Sequence, residues 1–114
     1  MSKEVTVYFK DILDNIGKAE SFVNNMQVNE FAEDDKTIYA VSRCIEIIGE
    51  AAKRIPDSTK QKYPEVPWKQ ITGMRDIMIH AYSSVNVNTV WRTVKEDFPL
   101  VKPIVQAILK GLDQ

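Results

Sequence analysis

A chain of 114 residues, 44% apolar and 27% charged, fits one compact domain spanning 1–114 and leaves little room for a second. Its net charge of −1 excludes a protein that coats nucleic acid through a global positive field. Any RNA contact must come from a local cluster, or from two chains that pool weak patches around one cleft. No run approaches the roughly 20 apolar residues that cross a bilayer. The N-terminal Ser2-Lys3-Glu4 is followed by no apolar secretion signal, and the lone Cys44, set among Ile45, Ile47 and Ile48, reads as a small buried hydrophobe. A cytoplasmic address is the expectation.

The first predicted element is a helix from about Glu4 to Met26, in which Phe9, Ile12, Leu13, Ile16, Phe22, Val23 and Met26 form one stripe. Asn29 to Glu33 is short and polar and reads as a turn. The strongest helical signal follows, from about Asp35 to Ile55. Ile38, Val41, Ile45, Ile48, Ala52 and Ile55 step by three and four, Asp34 or Asp35 can cap the start, and Pro56 ends the run. These two helices should pack as an antiparallel hairpin.

From Pro56 to Thr72 the pattern breaks into pieces. Ser58 and Gln61 have capping-box spacing for a short helix, and Pro67 suits the first turn of another. Thr72 can cap a third, running from Gly73 or Met74 to about Ala81, with Ser83 and Ser84 marking its end. A last helical region holds Val87, Val90, Trp91 and Val94, then Val101, Ile104, Val105, Ile108 and Leu112, with Pro99 and Pro103 expected to kink or restart it. Strands are hard to find, so the fold class is all-α: an antiparallel bundle of four to five helices.

The chemistry concentrates in Gly73-Met74-Arg75-Asp76-Ile77-Met78-Ile79-His80-Ala81-Tyr82, which contains the only histidine. Histidine takes and gives protons near neutrality, and the arginine fork matches phosphate oxygens. One of each is a minimal kit for cleaving a phosphodiester without a metal. On an ideal helix Arg75 and His80 lie roughly 140° apart around the axis, so only the long arginine stem lets them converge. Asp76 and His80, an i, i+4 pair, should share a face, where Asp76 could orient the imidazole. Tyr82 shares the face of Arg75 if the helix continues, and swings toward His80 if it ends near Ala81. By residue type alone, a lone histidine at a helix end is ordinarily structural, and an Arg–Asp pair is ordinarily a solvated face.

Elsewhere, Met74, Met78 and Ile77 read as core or dimer interface, Trp68 and Trp91 as buried more readily than base-stacking. Lys53, Arg54, Lys60 and Lys62 make a modest basic patch, ordinarily solvated surface, yet the best candidate outside the motif for tracking RNA. One His and one Cys on separate helices give no usual zinc site, and the four glycines have no phosphate-loop spacing, so no metal and no cofactor is expected.

Arg75-x4-His80-x-Tyr82 resembles the Arg-x4-His-x-Tyr motif of the HepT-like branch of the HEPN superfamily. Ile45-Glu46-Ile47-Ile48-Gly49-Glu50-Ala51-Ala52-Lys53-Arg54, Pro64-Glu65-Val66-Pro67-Trp68, Ile71-Thr72-Gly73-Met74-Arg75, Val90-Trp91 and Asp97-Phe98-Pro99 are similar to further segments of that branch, so the likeness spans nearly the whole chain. The resemblance implies a homodimeric helical bundle with its motifs facing each other across the dimer cleft. It implies a metal-independent endoribonuclease toxin of a type VII-like toxin–antitoxin pair, in which the RNA 2′-hydroxyl attacks the adjacent phosphorus. Arg75 would bind the scissile phosphate and His80 would transfer protons, with Asp76 in support. Tyr82 would receive AMP from a cognate minimal nucleotidyltransferase antitoxin, filling the cleft and repelling an RNA phosphate. The position after the arginine is commonly Asn in this branch and is Asp76 here. An anion there weakens phosphate binding unless Arg75 or His80 neutralises it. The alternative is a non-catalytic helical partner, or nucleotide-binding subunit, of a nucleotidyltransferase complex.

Overall fold

The computed structural model describes residues 2–81, 83 and 85–112. Among these there is no strand, and the elements run α1 (Lys3–Phe22), α2 (Val28–Ala32), α3 (Asp35–Arg54), α4 (Asp57–Lys60), α5 (Trp68–His80), α6 (Val87–Arg92), a π-helical turn (Thr93–Asp97) and α7 (Phe98–Leu112). The expected all-α bundle is therefore the architecture found, with α1, α3, α5 and the joined α6–α7 rod as its long members.

Local chemistry explains most boundaries. Ser2 opens α1, its Oγ accepting from the Val5 N–H at 3.2 Å. The helix closes at Phe22, short of the expected Met26, and the chain turns through Asn25 at φ 66°, a left-handed conformation that asparagine tolerates. The segment expected as a turn holds a single helical turn, α2. Its Glu30 reaches back so that Oε1 accepts from the Gln27 N–H at 2.8 Å, and Phe31 is fully buried beneath it. Of the two candidate caps for α3, Asp34 serves, accepting from the Thr37 N–H at 3.0 Å. The Asp34 carboxyl sits below its ordinary pKa because of that backbone bond first, and the Thr37 side chain second.

Three expectations after Pro56 need correction. Helix α4 starts at Asp57 with Pro56 as its cap residue, so the Ser58/Gln61 box is not what opens it. The two helices expected on either side of Thr72 are one, α5, which begins at Trp68. Thr72 sits inside it, with Oγ1 donating to the Trp68 carbonyl at 3.1 Å, a back-bond that satisfies the hydroxyl without ending the helix. Pro99 and Pro103 do not break the last helix, whose backbone stays helical from Val87 to Leu112. The disturbance is the π turn ahead of Pro99, where the Phe98 N–H donates five residues back to Thr93. A widened turn draws the preceding carbonyls away from the proline ring.

The core lies where α1, α3 and α7 meet. Phe9, Ile12, Ile16 and Ala19 of α1, Val41 and Ala52 of α3, and Val105 of α7 are fully buried. Helices α1 and α3 run antiparallel: Tyr8 and Asp11 share a groove with Ala51 and Arg54, while Lys18 acts on Cys44. Lys102 of α7 pairs with Glu20 of α1 at 2.9 Å. Phe9 also meets Tyr63 and Trp68 edge-on at 6.0 and 5.9 Å, which docks the loop before α5 onto α1.

Candidate active site

Helix α5 carries both residues of the expected kit. Met78 turns its buried side chain into the core, whereas Ile77, Ile79 and His80 are exposed. Arg75, three residues before Met78, lies on the inward side and faces α3. There it meets Gly49. A methyl group on Gly49 would stand 2.7 Å from Cγ and 3.3 Å from Cα of Arg75, and closer still to its Cβ. The arginine stem occupies the space that any other residue at 49 would fill, so the two helices cross at this pair. The Arg75 side chain is only 23% exposed, and its Nε is buried with no hydrogen-bond partner. A guanidinium held this way is fixed at its base by the contact with Gly49.

Asp76 does not take the role expected of it within the protomer. Its Oδ1 accepts from Lys53 Nζ of α3 at 2.5 Å and from Arg75 Nη1 at 3.1 Å, and no bond joins it to His80. The hydrogen bond from Lys53 first, and that from Arg75 second, hold the Asp76 carboxyl below its ordinary range. The anion expected to weaken phosphate binding is thus neutralised, by a lysine from another helix as well as by the arginine. Two cations on one carboxylate leave one excess positive charge, the charge that one phosphodiester balances.

His80 is the last residue of α5. The Ala81 N–H closes the helix onto the Ile77 carbonyl at 2.9 Å, and Ala81 leaves helical geometry at φ −141°. The imidazole is exposed, with no hydrogen bond or ion pair among the described residues. The helix ends where the swing of Tyr82 toward His80 was expected, but Tyr82 lies outside the described residues, as does Ser84.

The remaining candidates resolve simply. Trp68 is half-buried against Phe9 and its Nε1 donates to the Tyr63 carbonyl at 3.0 Å; Trp91 packs on Phe31 at 5.3 Å between ring centres. Lys60 and Lys95 lie over these two rings at 5.8 and 5.0 Å, so both tryptophans belong to the packing rather than to a base-stacking platform. Met78 is core and Met74 lines an apolar cavity of about 30 Å³ between α3, α5 and the π turn, which neither Arg75 nor His80 reaches. Cys44 is buried, and burial pushes its thiol pKa up.

In the sequence Gly49 and Lys53 stand out only as members of a helical segment, Lys53 also of a basic patch, and neither is marked as a neighbour of Arg75 or Asp76. A glycine in the middle of a strong helical pattern was the available signal, because it costs helix stability unless another backbone must come close. Lys53, one turn further along the same helix, then falls beside whatever approaches Gly49.

The sequence matches the family described as Ribonuclease HepT-like over residues 12–108. It is similar to a candidate RNase of Methanocaldococcus jannaschii, MJ1216, with 39% identity over 97% of this chain and 92% of the relative. A probable ribonuclease HepT of Thermococcus cleftensis is 46% identical over 83% of this chain and 86% of its own length. A candidate RNase of Caldanaerobacter subterraneus subsp. tengcongensis is 36% identical over 90% and 92% respectively. No solved structure gives a significant match. With a match across most of the chain and relatives of similar length, this helical protein belongs to the HepT-like ribonuclease family of the HEPN superfamily.

Proposed function

We propose that the chain is a metal-independent endoribonuclease whose site is completed by a homodimer, with two copies of Arg75 and His80 lining one cleft. The observation that carries this reading is the placement, on one helix, of a guanidinium fixed at its base by Gly49 and an exposed imidazole at the helix end. In the reaction the RNA 2′-hydroxyl forms a bond to the adjacent phosphorus and the bond to the 5′-oxygen breaks. His80 takes the 2′ proton, His80 of the second copy protonates the departing 5′-oxygen, and Arg75 offsets the charge that builds on the phosphate. The products carry a 2′,3′-cyclic phosphate and a 5′-hydroxyl. One protomer has a single histidine and this chemistry needs an acid and a base, so a two-fold axis supplies what one chain lacks.

Within the same reading the protein is the toxin of a toxin–antitoxin pair, and AMP transferred to Tyr82 by a minimal nucleotidyltransferase shuts it off. Tyr82 follows His80 by two positions, so an added phosphate there would compete for the Arg75 charge. The test is incubation of the unmodified protein with RNA in the presence of chelator, followed by analysis of product ends and of oligomeric state. Cyclic phosphate ends from a dimer support the reading; 3′-hydroxyl ends, or a fully active monomer, contradict it.

Two observations favour the alternative of a non-catalytic helical partner of a nucleotidyltransferase: Asp76 holds Nη1 of Arg75, and His80 has no orienting partner within the described residues. That protein would still accept AMP on Tyr82 and would cleave no RNA.

A further inference from the structure

We propose that Lys53 is a second phosphate-binding cation of the RNA site, held by Asp76 until the RNA backbone arrives. The proposal rests on the ribonuclease reading and adds to it a residue from another helix. Lys53 lies on α3, one turn beyond Gly49, at the point where α3 and α5 cross. Its Nζ reaches across 23 positions of sequence to the same Asp76 Oδ1 that Arg75 Nη1 touches. One oxygen therefore ties two cations together, and the cluster keeps one positive charge in excess.

The exposure pattern shows which members can move. Lys53 and Asp76 are 41% and 46% exposed, against 23% for Arg75. Water screens the lysine pair, so exchanging a carboxylate oxygen for a phosphate oxygen costs little. Arg75 is anchored by its contact with Gly49, whereas the lysine stem is long and free to follow an incoming strand. In the bound state Arg75 holds one phosphate and Lys53 contacts the same or the neighbouring phosphate, while Asp76 remains with Arg75.

The experiment measures binding of a short fluorescent single-stranded 2′-O-methyl RNA, which lacks the attacking hydroxyl, across a series of salt concentrations. The wild type is compared with Lys53→Gln, Lys53→Arg, Asp76→Asn and the Asp76→Asn/Lys53→Gln pair, each checked for helical content. The expected result for Lys53→Gln is a loss of affinity of roughly three- to tenfold near 0.1 M salt, with the log–log salt slope reduced by about 0.7. Lys53→Arg keeps the wild-type slope, and the loss persists in the Asp76→Asn background. An unchanged slope in Lys53→Gln, or a loss that vanishes once Asp76 is Asn, would mean that Lys53 only holds Asp76 and would overturn the proposal. Absence of binding by the wild type overturns it as well. Binding with the expected slopes but no cleavage of ordinary RNA overturns the ribonuclease reading and leaves the Lys53 contact standing.

Discussion

Gly49 and Arg75 share one volume: the stem of the arginine occupies the place where a side chain on residue 49 would be. Substitution at Gly49 therefore acts on the candidate site through packing. Gly49→Ala places a methyl 2.7 Å from Cγ and 3.3 Å from the backbone Cα of Arg75, and should cost about 1–3 kcal/mol as the helices move apart. Gly17→Ala is the control, because nothing lies within 4 Å of a Cβ there. In the middle of α1 it should stabilise by about 0.5–1 kcal/mol. Urea unfolding of the two variants checks the opposite signs, and RNA cleavage should fall only in Gly49→Ala.

Asp76 should titrate below 3.8 in the folded protein, because the bonds from Lys53 and Arg75 favour its charged form. With the folded value depressed, the stability it contributes is present above the unfolded value and is lost as pH falls through the folded one. The loss therefore falls in the acid range below 3.8. Carboxyl NMR titration should show the midpoint rising toward 3.8 in Lys53→Gln, where the larger cause of the shift is removed.

Phe9 is fully buried and touches Tyr63 and Trp68, so it joins the α1–α3 core to the segment that leads into α5. Phe9→Ala should destabilise the fold by about 3–5 kcal/mol in denaturant unfolding. The fluorescence of Trp68 should report the change directly, since its ring loses a neighbour.

Cys44 is 4% exposed and its thiol pKa is raised from 9.0 by burial. A thiol reagent at mildly alkaline pH should label the native protein slowly, at the rate of its opening, and label it at once in denaturant. Rapid labelling of the native protein would contradict the packing of α3 against α1.

The long elements are legible because their apolar residues repeat at helical spacing over many turns, as Ile38 to Ala52 do in α3. The shorter elements depend on side chains whose partners are not near in the sequence pattern. Thr72 has the composition of a cap, yet Pro67 and the back-bond to Trp68 let α5 run straight through it. The π turn leaves no mark except Pro99, which reads equally as a kink. At the site, Arg75 and His80 stand out by residue type, and the family resemblance implies the roles proposed for them. The Lys53–Asp76 bond does not stand out, because it joins two helices whose crossing point is set by an absent side chain at Gly49. Asp76 was expected to serve His80 by i, i+4 spacing. A cation on α3 and its own neighbour Arg75 take it instead, since charge-assisted bonds outweigh mere proximity on a helix face.

The central claim is that Arg75 and His80 perform RNA cleavage, and one side-by-side assay tests it most directly. The wild type, Arg75→Ala and His80→Ala, each folded and unmodified at Tyr82, are incubated with mixed RNA in chelator, without any antitoxin. The account predicts cleavage by the wild type, leaving 2′,3′-cyclic phosphate ends, and a loss of at least about a hundredfold in each variant. Equal inactivity of all three proteins, or equal cleavage by all three, would contradict it.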